Sequence, residues 1–422
     1  MLARSEADVM KAIRFATNYH LAISVFGTGH EFNDRNAGQA NNSLLIRTMC
    51  LRTADIDLKP SEYFDHKDGT IRVGSGMTWG TSKMGDTGVH ELAYQVDRVV
   101  VSGHAGNVGV VGWSLGGGHG QLAGTYGLGV DQVLQVEMVD AFGNIIIADE
   151  RGTTKIMDGG NSTHSKSNDL FWALRGGGAG TWGVVTAMTI KLHKVKNECT
   201  THCYTQWTAI WEGNWYTDGP ELLQDLIHQY LKWTGTASKF WSSYAFVYPK
   251  ADNVTYGFYI SEALYVGKES TDSDYWGFQE TFQDLYPEQK IVFASQKFDT
   301  FLDKLKVQTD ESVSPLTNFE PMVTVLMNKS SVADPLAAEM VVRNWFPRCV
   351  KSGGLCVAFY LFMHTLSTGS EDDEYTETAV SPAFRQAKLH LAATSYTSLI
   401  RQATLEEKVE FAHNEIGPEF YR

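Results

Sequence analysis

The chain has 422 residues, 43% of them hydrophobic and 20% charged, with a formal net charge of −14. That length exceeds one ordinary hydrophobic core, so a globular protein of two domains, or of one domain interrupted by another, is expected. The acidic balance and the absence of Lys/Arg clusters exclude general phosphate-backbone binding, and no run of about 18 apolar residues is available to span a bilayer.

In chain order, MLARSEADVMKAIRFA lacks the apolar core of a secretory signal, so none is expected in this stretch. It predicts a helix capped by Ser5, with Asp8 at the capping-box position and Val9, Ala12, Ile13 and Ala16 on one face. LAISVFGTGH reads as a short strand running into a glycine turn, SLLIRT as a second strand and TIRVGSGMTWG as a third. Residues 131–150 predict a hairpin turning at Ala-Phe-Gly-Asn, and NDLFWALRGGGAGTWGVVTAMTIKLHK a helix, a glycine loop and an alternating strand. Near residue 195 glycine thins out and tryptophan becomes frequent, which divides the chain into 1–194 and 195–395, with 396–422 returning to the first part. The second region alternates GPELLQDLIHQYLKW-type helices with strands such as VTYGFYISEALYV and CVAFYLFMH, as expected of an antiparallel sheet covered by helices on one face. GSEDDEY, at 369–375, reads as a solvated loop, and 403–415 as helical.

Four sequons, at Asn41, Asn161, Asn253 and Asn328, point to a secreted glycoprotein. Cys199 and Cys203 flank His202, but a lone CxxxC without a second pair is core or a local disulfide more readily than a metal site. Cys349 and Cys356 flank a Ser-Gly-Gly turn and could pair across it.

Residues 99–133, VVVSGHAGNVGVVGWSLGGGHGQLAGTYGLGVDQV, hold 11 glycines in 35 positions. With Gly27 to Gly29 and Gly176 to Gly183 they form three clusters where backbone N–H groups could closely approach a phosphate. The context of a dinucleotide fingerprint, a strand before and a helix after, is missing at GTGHEF and at GGGHGQ. No Walker loop exists. The pentapeptide from Gly112 to Gly116 has the GxSxG form of a hydrolase elbow, but Gly116, Gly117 and Gly118 oppose the helix that must follow.

Four segments resemble the berberine-bridge-enzyme-like branch of the vanillyl-alcohol-oxidase flavoproteins: FGTGHEFNDRN, the segment 99–133, DLFWALRGGGAGTWGVVT and ETAVSPAFRQAKLH. The resemblance implies an α+β fold, in which FAD lies extended between two α+β subdomains of a PCMH-type domain and a substrate domain adds an antiparallel sheet. It implies flavin contacts from Phe26, Gly27, Thr28, Gly29, His30 and Glu31 in the first loop, with His30 bonded to the 8α-methyl carbon. From the second it implies Gly103, Ala105, Val108, Gly109, Gly112, Trp113, Gly117, Gly118 and Gly120, and from the third Val184 and Val185. Ala105 stands where many relatives carry a second flavin-linking cysteine, so a mono-covalent FAD is expected.

Val108 matches an oxygen-gate position where valine resembles oxidases and leucine dehydrogenases. Trp113 replaces a histidine found near the flavin pyrimidine ring in some relatives. The implied reaction is hydride removal from a hydroxyl-bearing small molecule, an alcohol, sugar, or phenolic or terpenoid metabolite, with O2 as acceptor giving H2O2. A dehydrogenase with another acceptor and a flavin-free binding protein are the alternatives. Tyr421, at the start of a Tyr-x-Asn-like ending, is either the base or an ordinary terminal aromatic; the sequence stops before the Asn and the family's last helix, and starts after its first strands. Trp207, Trp211, Trp215, Tyr259, Tyr360 and Phe362 are core residues or substrate-stacking rings.

Overall fold

Ser5 and Asp8 close the capping box that their spacing predicts. Ser5 Oγ accepts from Asp8 N at 3.2 Å and Asp8 Oδ2 accepts from Ser5 N at 3.2 Å, opening α1 (Glu6–Asn18) with Val9, Ala12, Ile13 and Ala16 buried. The computed structural model describes residues 1–31, 36, 42–59, 64, 66–81, 85, 87–194, 201–214, 216–249, 255–267, 273–284, 292–307, 322–345, 355–364 and 377–397. Tyr421, Trp215, the 369–375 run and the helix expected over 403–415 lie outside them, as do Cys199 and Cys349.

β1 (Ala22–Phe26) and β2 (Ser43–Arg47) pair in parallel, and the first glycine loop leaves the end of β1. α1 packs on this pair, and its buried face joins Ile46, Val139 and Val184 in one apolar cluster. The first large sheet contains β3 (Ala54–Asp57), β4 (Thr70–Gly74), β5 (Val133–Val139), β6 (Ile145–Asp149), β7 (Gly152–Ile156), β8 (Ser162–Ser165) and β9 (Val184–Lys191). Its order is β3-β4-β9-β5-β6-β7-β8, antiparallel throughout. The predicted hairpin is β5–β6. β9 departs from its predicted alternation: every residue from Val184 to Ile190 is buried, because apolar clusters take up side chains from both of its faces.

Helices α2 (Val89–Tyr94), α3 (Val110–Leu115), α4 (Ala123–Tyr126), α5 (Gly129–Gln132) and α6 (Asp169–Leu174) are all short. Three of them, α3 to α5, break up the glycine-rich segment, where glycine content disfavours helix. GxSxG belongs to α3, and Ser114 Oγ donates back to Val110 O at 2.9 Å, buried, as a helical serine rather than an exposed nucleophile.

The second large sheet starts at Tyr204, past the glycine-poor boundary. It comprises β10 (Tyr204–Asn214), β11 (Trp241–Pro249), β12 (Thr255–Val266), β13 (Val292–Phe298), β14 (Met322–Met327), β15 (Leu355–His364) and β16 (Leu389–Thr397), ordered β13-β10-β12-β11-β15-β16-β14 and antiparallel. α7 (Pro220–Thr236) begins with Pro at its first turn, where a missing N–H costs nothing, and buries Leu223, Leu226, Ile227, Tyr230 and Leu231 against the sheet. Trp207 and Trp211 belong to this core, and Tyr259 is half-buried. Cys203 is fully buried and disulfide-bonded, which removes it as a metal ligand.

Trp241 is fully buried, with ring centroids 5.1 Å from Trp207, 5.3 Å from Trp233 and 5.2 Å from Tyr265. Trp241→Ala is expected to cost about 3–5 kcal/mol through the cavity it leaves, measured as a lower urea midpoint at unchanged slope.

Candidate functional site

The first and second glycine loops are tied together by one side chain. Thr28 Oγ1 accepts from Gly109 N at 2.9 Å, and a Cβ at Gly109 would lie 3.1 Å from that oxygen. Gly29, at φ +90°, lies over the Phe26 ring, which also carries the Arg47 guanidinium 4.7 Å from its centroid. His30 and Glu31 follow on the same loop, both half-buried.

Residues 105–110 run beside 77–80, with Gly80 N donating to Gly106 O at 2.7 Å, Trp79 N to Val108 O at 3.2 Å and Val110 N to Met77 O at 3.1 Å. Val108 is half-buried against the first sheet's core, in a bend and not in a strand.

The glycines divide by what lies against them, and this corrects the idea that one ligand explains them all. At Gly103 a Cβ would meet Trp113 Nε1 at 2.8 Å, and at Gly118 and Gly129 it would meet the same indole at 2.6 and 2.3 Å. At Gly120 it would sit 1.8 Å from Ser102 O. These four are demanded by the chain's own packing. Gly112, by contrast, has nothing within 4 Å, and Gly117 only a Val380 methyl at 3.6 Å. Trp113 is half-buried and stands edge-on to Trp79 at 5.1 Å. Val184 and Val185 place their side chains in two different core clusters.

The segment ETAVSPAFRQAKLH clamps the second and third loops. Arg385 forms a bidentate pair with Asp131 at 2.8 and 3.0 Å, Asp131 Oδ2 also caps α5 from Leu128 N, and Arg175 Nη2 donates to Glu377 O at 2.6 Å. An apolar cluster joins Leu122, Leu128 and Val130 to Tyr204, Leu264, Val266 and Phe301 across the two sheets.

Within that junction lies a polar chain that sequence reading missed. Lys304 Nζ, on α9 (Phe301–Val307, following α8 at Ser273–Gln279), pairs with Glu262 Oε2 at 2.5 Å, both side chains fully buried. Gln121 Nε2 donates to Glu262 Oε1 and lies 3.0 Å from His104 Nδ1. A carboxylate only accepts, so Gln121 must present its NH2 here; His104 Nδ1 is then the acceptor, and Nε2 carries the proton. His104 also meets the Tyr244 ring edge-on at 5.2 Å, and burial raises the Tyr244 hydroxyl pKa. Nothing in the spacing of His104, Gln121, Glu262 and Lys304 signals this contact.

An extended, polar, phosphate-bearing cofactor fits these loops. Ser75 Oγ, Ser102 Oγ and Trp79 Nε1, beside the first two loops, are buried without a hydrogen-bond partner among the described residues, and the backbone is bare at Gly112.

Residues 1–149 match the family described as the FAD binding domain. The chain is 35% identical over 192 residues to the FAD-linked oxidoreductase ZEB1 of Gibberella zeae, covering 45% of this chain and 30% of that one. It is 31% identical over 189 residues to the VAO-type flavoprotein oxidase VAO615 of Thermothelomyces thermophilus, covering 44% and 29%. These matches span less than a third of each relative's length. Among solved structures, VAO-type flavoprotein MtVAO615 from Myceliophthora thermophila superposes with a TM-score of 0.75 at 20% identity, covering 99% of this chain and 69% of that one. Berberine bridge enzyme from Eschscholzia californica gives 0.68 at 18%, covering 100% and 74%. The α+β fold is that of the vanillyl-alcohol-oxidase and berberine-bridge flavoproteins.

Two predictions follow from this packing and from its buried imidazoles. Gly120→Ala should lower the thermal midpoint sharply or prevent folding, whereas Gly112→Ala, in open space on α3, should leave it unchanged or slightly raised; calorimetry of the two variants separates these outcomes. Burial, then the Lys304 charge, lowers the His90 pKa to about 3, and burial, then His390, lowers that of His119 to about 4. Unfolded histidines titrate near 6.5, so between that value and about 4 the unfolded chain binds more protons, and stability falls as pH falls. Urea unfolding at pH 7, 6 and 5 should lose up to about 1.4 kcal/mol per pH unit for each histidine, less in His90→Leu.

Proposed function

We propose that this chain is an FAD-dependent oxidase that takes a hydride from a hydroxyl-bearing small molecule, of the alcohol, sugar, phenolic or terpenoid kind, and passes the electrons to O2. The observation that carries the reading is the tie between the two loops: Thr28 holds Gly109 beside the His30 loop, with bare backbone and unpartnered buried hydroxyls around them. Bound there, FAD supplies the hydride acceptor.

The chain's own residues bind and shield. Gly27 to Gly29 offer backbone N–H groups to the pyrophosphate, and His30 is the covalent anchor. Ala105 has no thiol to offer, so the linkage is single. Val108 leaves O2 a small side chain to pass. His104, held with its proton on Nε2 by Gln121 and Glu262, would offer a donor to growing negative charge, a task left open by Trp113 in place of a histidine. Tyr421 remains the candidate base, outside the described residues. The names of the relatives, FAD-linked oxidoreductase and VAO-type flavoprotein oxidase, support the class. Exposed sequon asparagines Asn161 and Asn328 and the disulfide at Cys203 support a secretory-pathway location.

The purified chain is expected to be yellow, with colour that stays with the acid-precipitated protein and is released by acid in His30→Ala. A panel of alcohols and sugars, read by peroxide release and oxygen uptake, should yield a substrate. Turnover with a quinone dye but no oxygen uptake would make it a dehydrogenase, and a colourless protein would overturn the reading.

A further inference from the structure

His66, Asp68 and His193 come together where β9 leaves the first sheet, with potential ligand atoms of all three within 4.8 Å of one another. His66 and His193 stand edge to face at 5.3 Å, and Tyr126 stacks on His193 at 4.5 Å.

Both imidazoles are held in one tautomer. His66 Nε2 lies 2.7 Å from the carbonyl oxygen of Leu192, which only accepts, so Nε2 carries the proton. His193 Nε2 lies 2.6 Å from Gln132 Oε1. The amide of Gln132 cannot be reversed, because its Nε2 donates to the carbonyls of Tyr126 at 2.9 Å and Leu128 at 3.0 Å. His193 therefore also protonates Nε2. Each ring keeps its lone pair on Nδ1 and has its other nitrogen oriented by an oxygen acceptor, the arrangement that supports metal-binding histidines.

The third group is placed by its backbone: Arg98 Nε donates to Asp68 O at 2.6 Å, and Gly69 N to His66 O at 3.1 Å. The Asp68 carboxylate accepts only from Lys194 N, at 3.3 Å, among the described residues. Burial lowers the pKa of both histidines, that of His193 to about 3. Lys67 and Lys191 lie near enough to add to that effect, and Asp68 opposes it at His66.

We propose that His66, Asp68 and His193 form a binding site for a divalent first-row transition cation, behind the end of the second glycine segment that holds His193 through Tyr126 and Gln132, with Nδ1 of each histidine and the carboxylate as ligands. Two imidazoles and one carboxylate suit Zn2+ or its neighbours rather than Ca2+ or Mg2+, and leave a position for water. A tetrahedral shell with bonds of about 2.1 Å sets ligands about 3.4 Å apart, against the 4.8 Å within which one nitrogen of each ring and a carboxylate oxygen already lie. His66 also lines a cleft of about 740 Å³ beside the start of β5 and the end of β9. The cation would pin the 66–69 turn to the end of β9, where the chain departs toward the second sheet.

The test uses the untagged, flavin-loaded full chain, stripped with a chelator and titrated with ZnCl2 by calorimetry, with bound metal measured on the re-purified protein. One equivalent of zinc per chain, at micromolar affinity or tighter, is expected, with a rise in thermal midpoint. Asp68→Asn and His66→Gln, at half-exposed positions, should each weaken binding at least ten-fold and abolish the zinc-dependent rise, with the metal-free midpoint and flavin spectrum unchanged. Absence of saturable one-to-one binding, or wild-type affinity in both variants, would overturn the proposal.

Discussion

The indole of Trp113 rests on the bare backbones of Gly103, Gly118 and Gly129, and the rest of the junction between the two sheets is arranged around that seat. A Cβ at any of the three would overlap the ring, so the segment folds around the tryptophan only if all three are glycine. Once seated, Trp113 ties the start of the segment to its end and stands against Trp79 of the first sheet's core. The glycine density is thus first a packing solution. Only the positions left bare, Gly112 above all, remain for a ligand to explain.

Apolar contact joins the sheets, but such contact tolerates sliding, and the charged groups set the register. Asp131 receives Arg385 from the second region while capping its own helix, and the buried Glu262, paired with Lys304, reaches Gln121 and, through it, His104. A fully buried ion pair contributes little net stability unless its remaining hydrogen-bonding capacity is met, but displacing either partner is costly. Such pairs hold one orientation of the loops against another. His104 draws its fixed tautomer from a carboxylate 158 positions farther along the chain.

Local structure was largely legible. The capping box, the β5–β6 hairpin, the first two strands and the helix-covered second sheet follow from spacing and period, because each is decided by neighbours within a few residues or by one buried face. Reading β9 as alternating missed that both of its faces are covered, and the short helices α3 to α5 were hidden by glycine content, since packing holds turns there that propensity disfavours. Val108 was legible as a motif position but not as a bend.

By itself the sequence determined the main strands and the first helix, the three glycine clusters, the resemblance of their loops to those of flavoproteins and the missing thiol at Ala105; these are properties of residue type and short-range spacing. Only the tertiary structure decided which glycines serve Trp113 and which stay open, that Thr28 ties two loops 81 positions apart, and that His66, Asp68 and His193 share one place. Those facts depend on contacts between residues far apart in the chain. Side-chain chemistry carries no record of such contacts until the sheets have closed on one another.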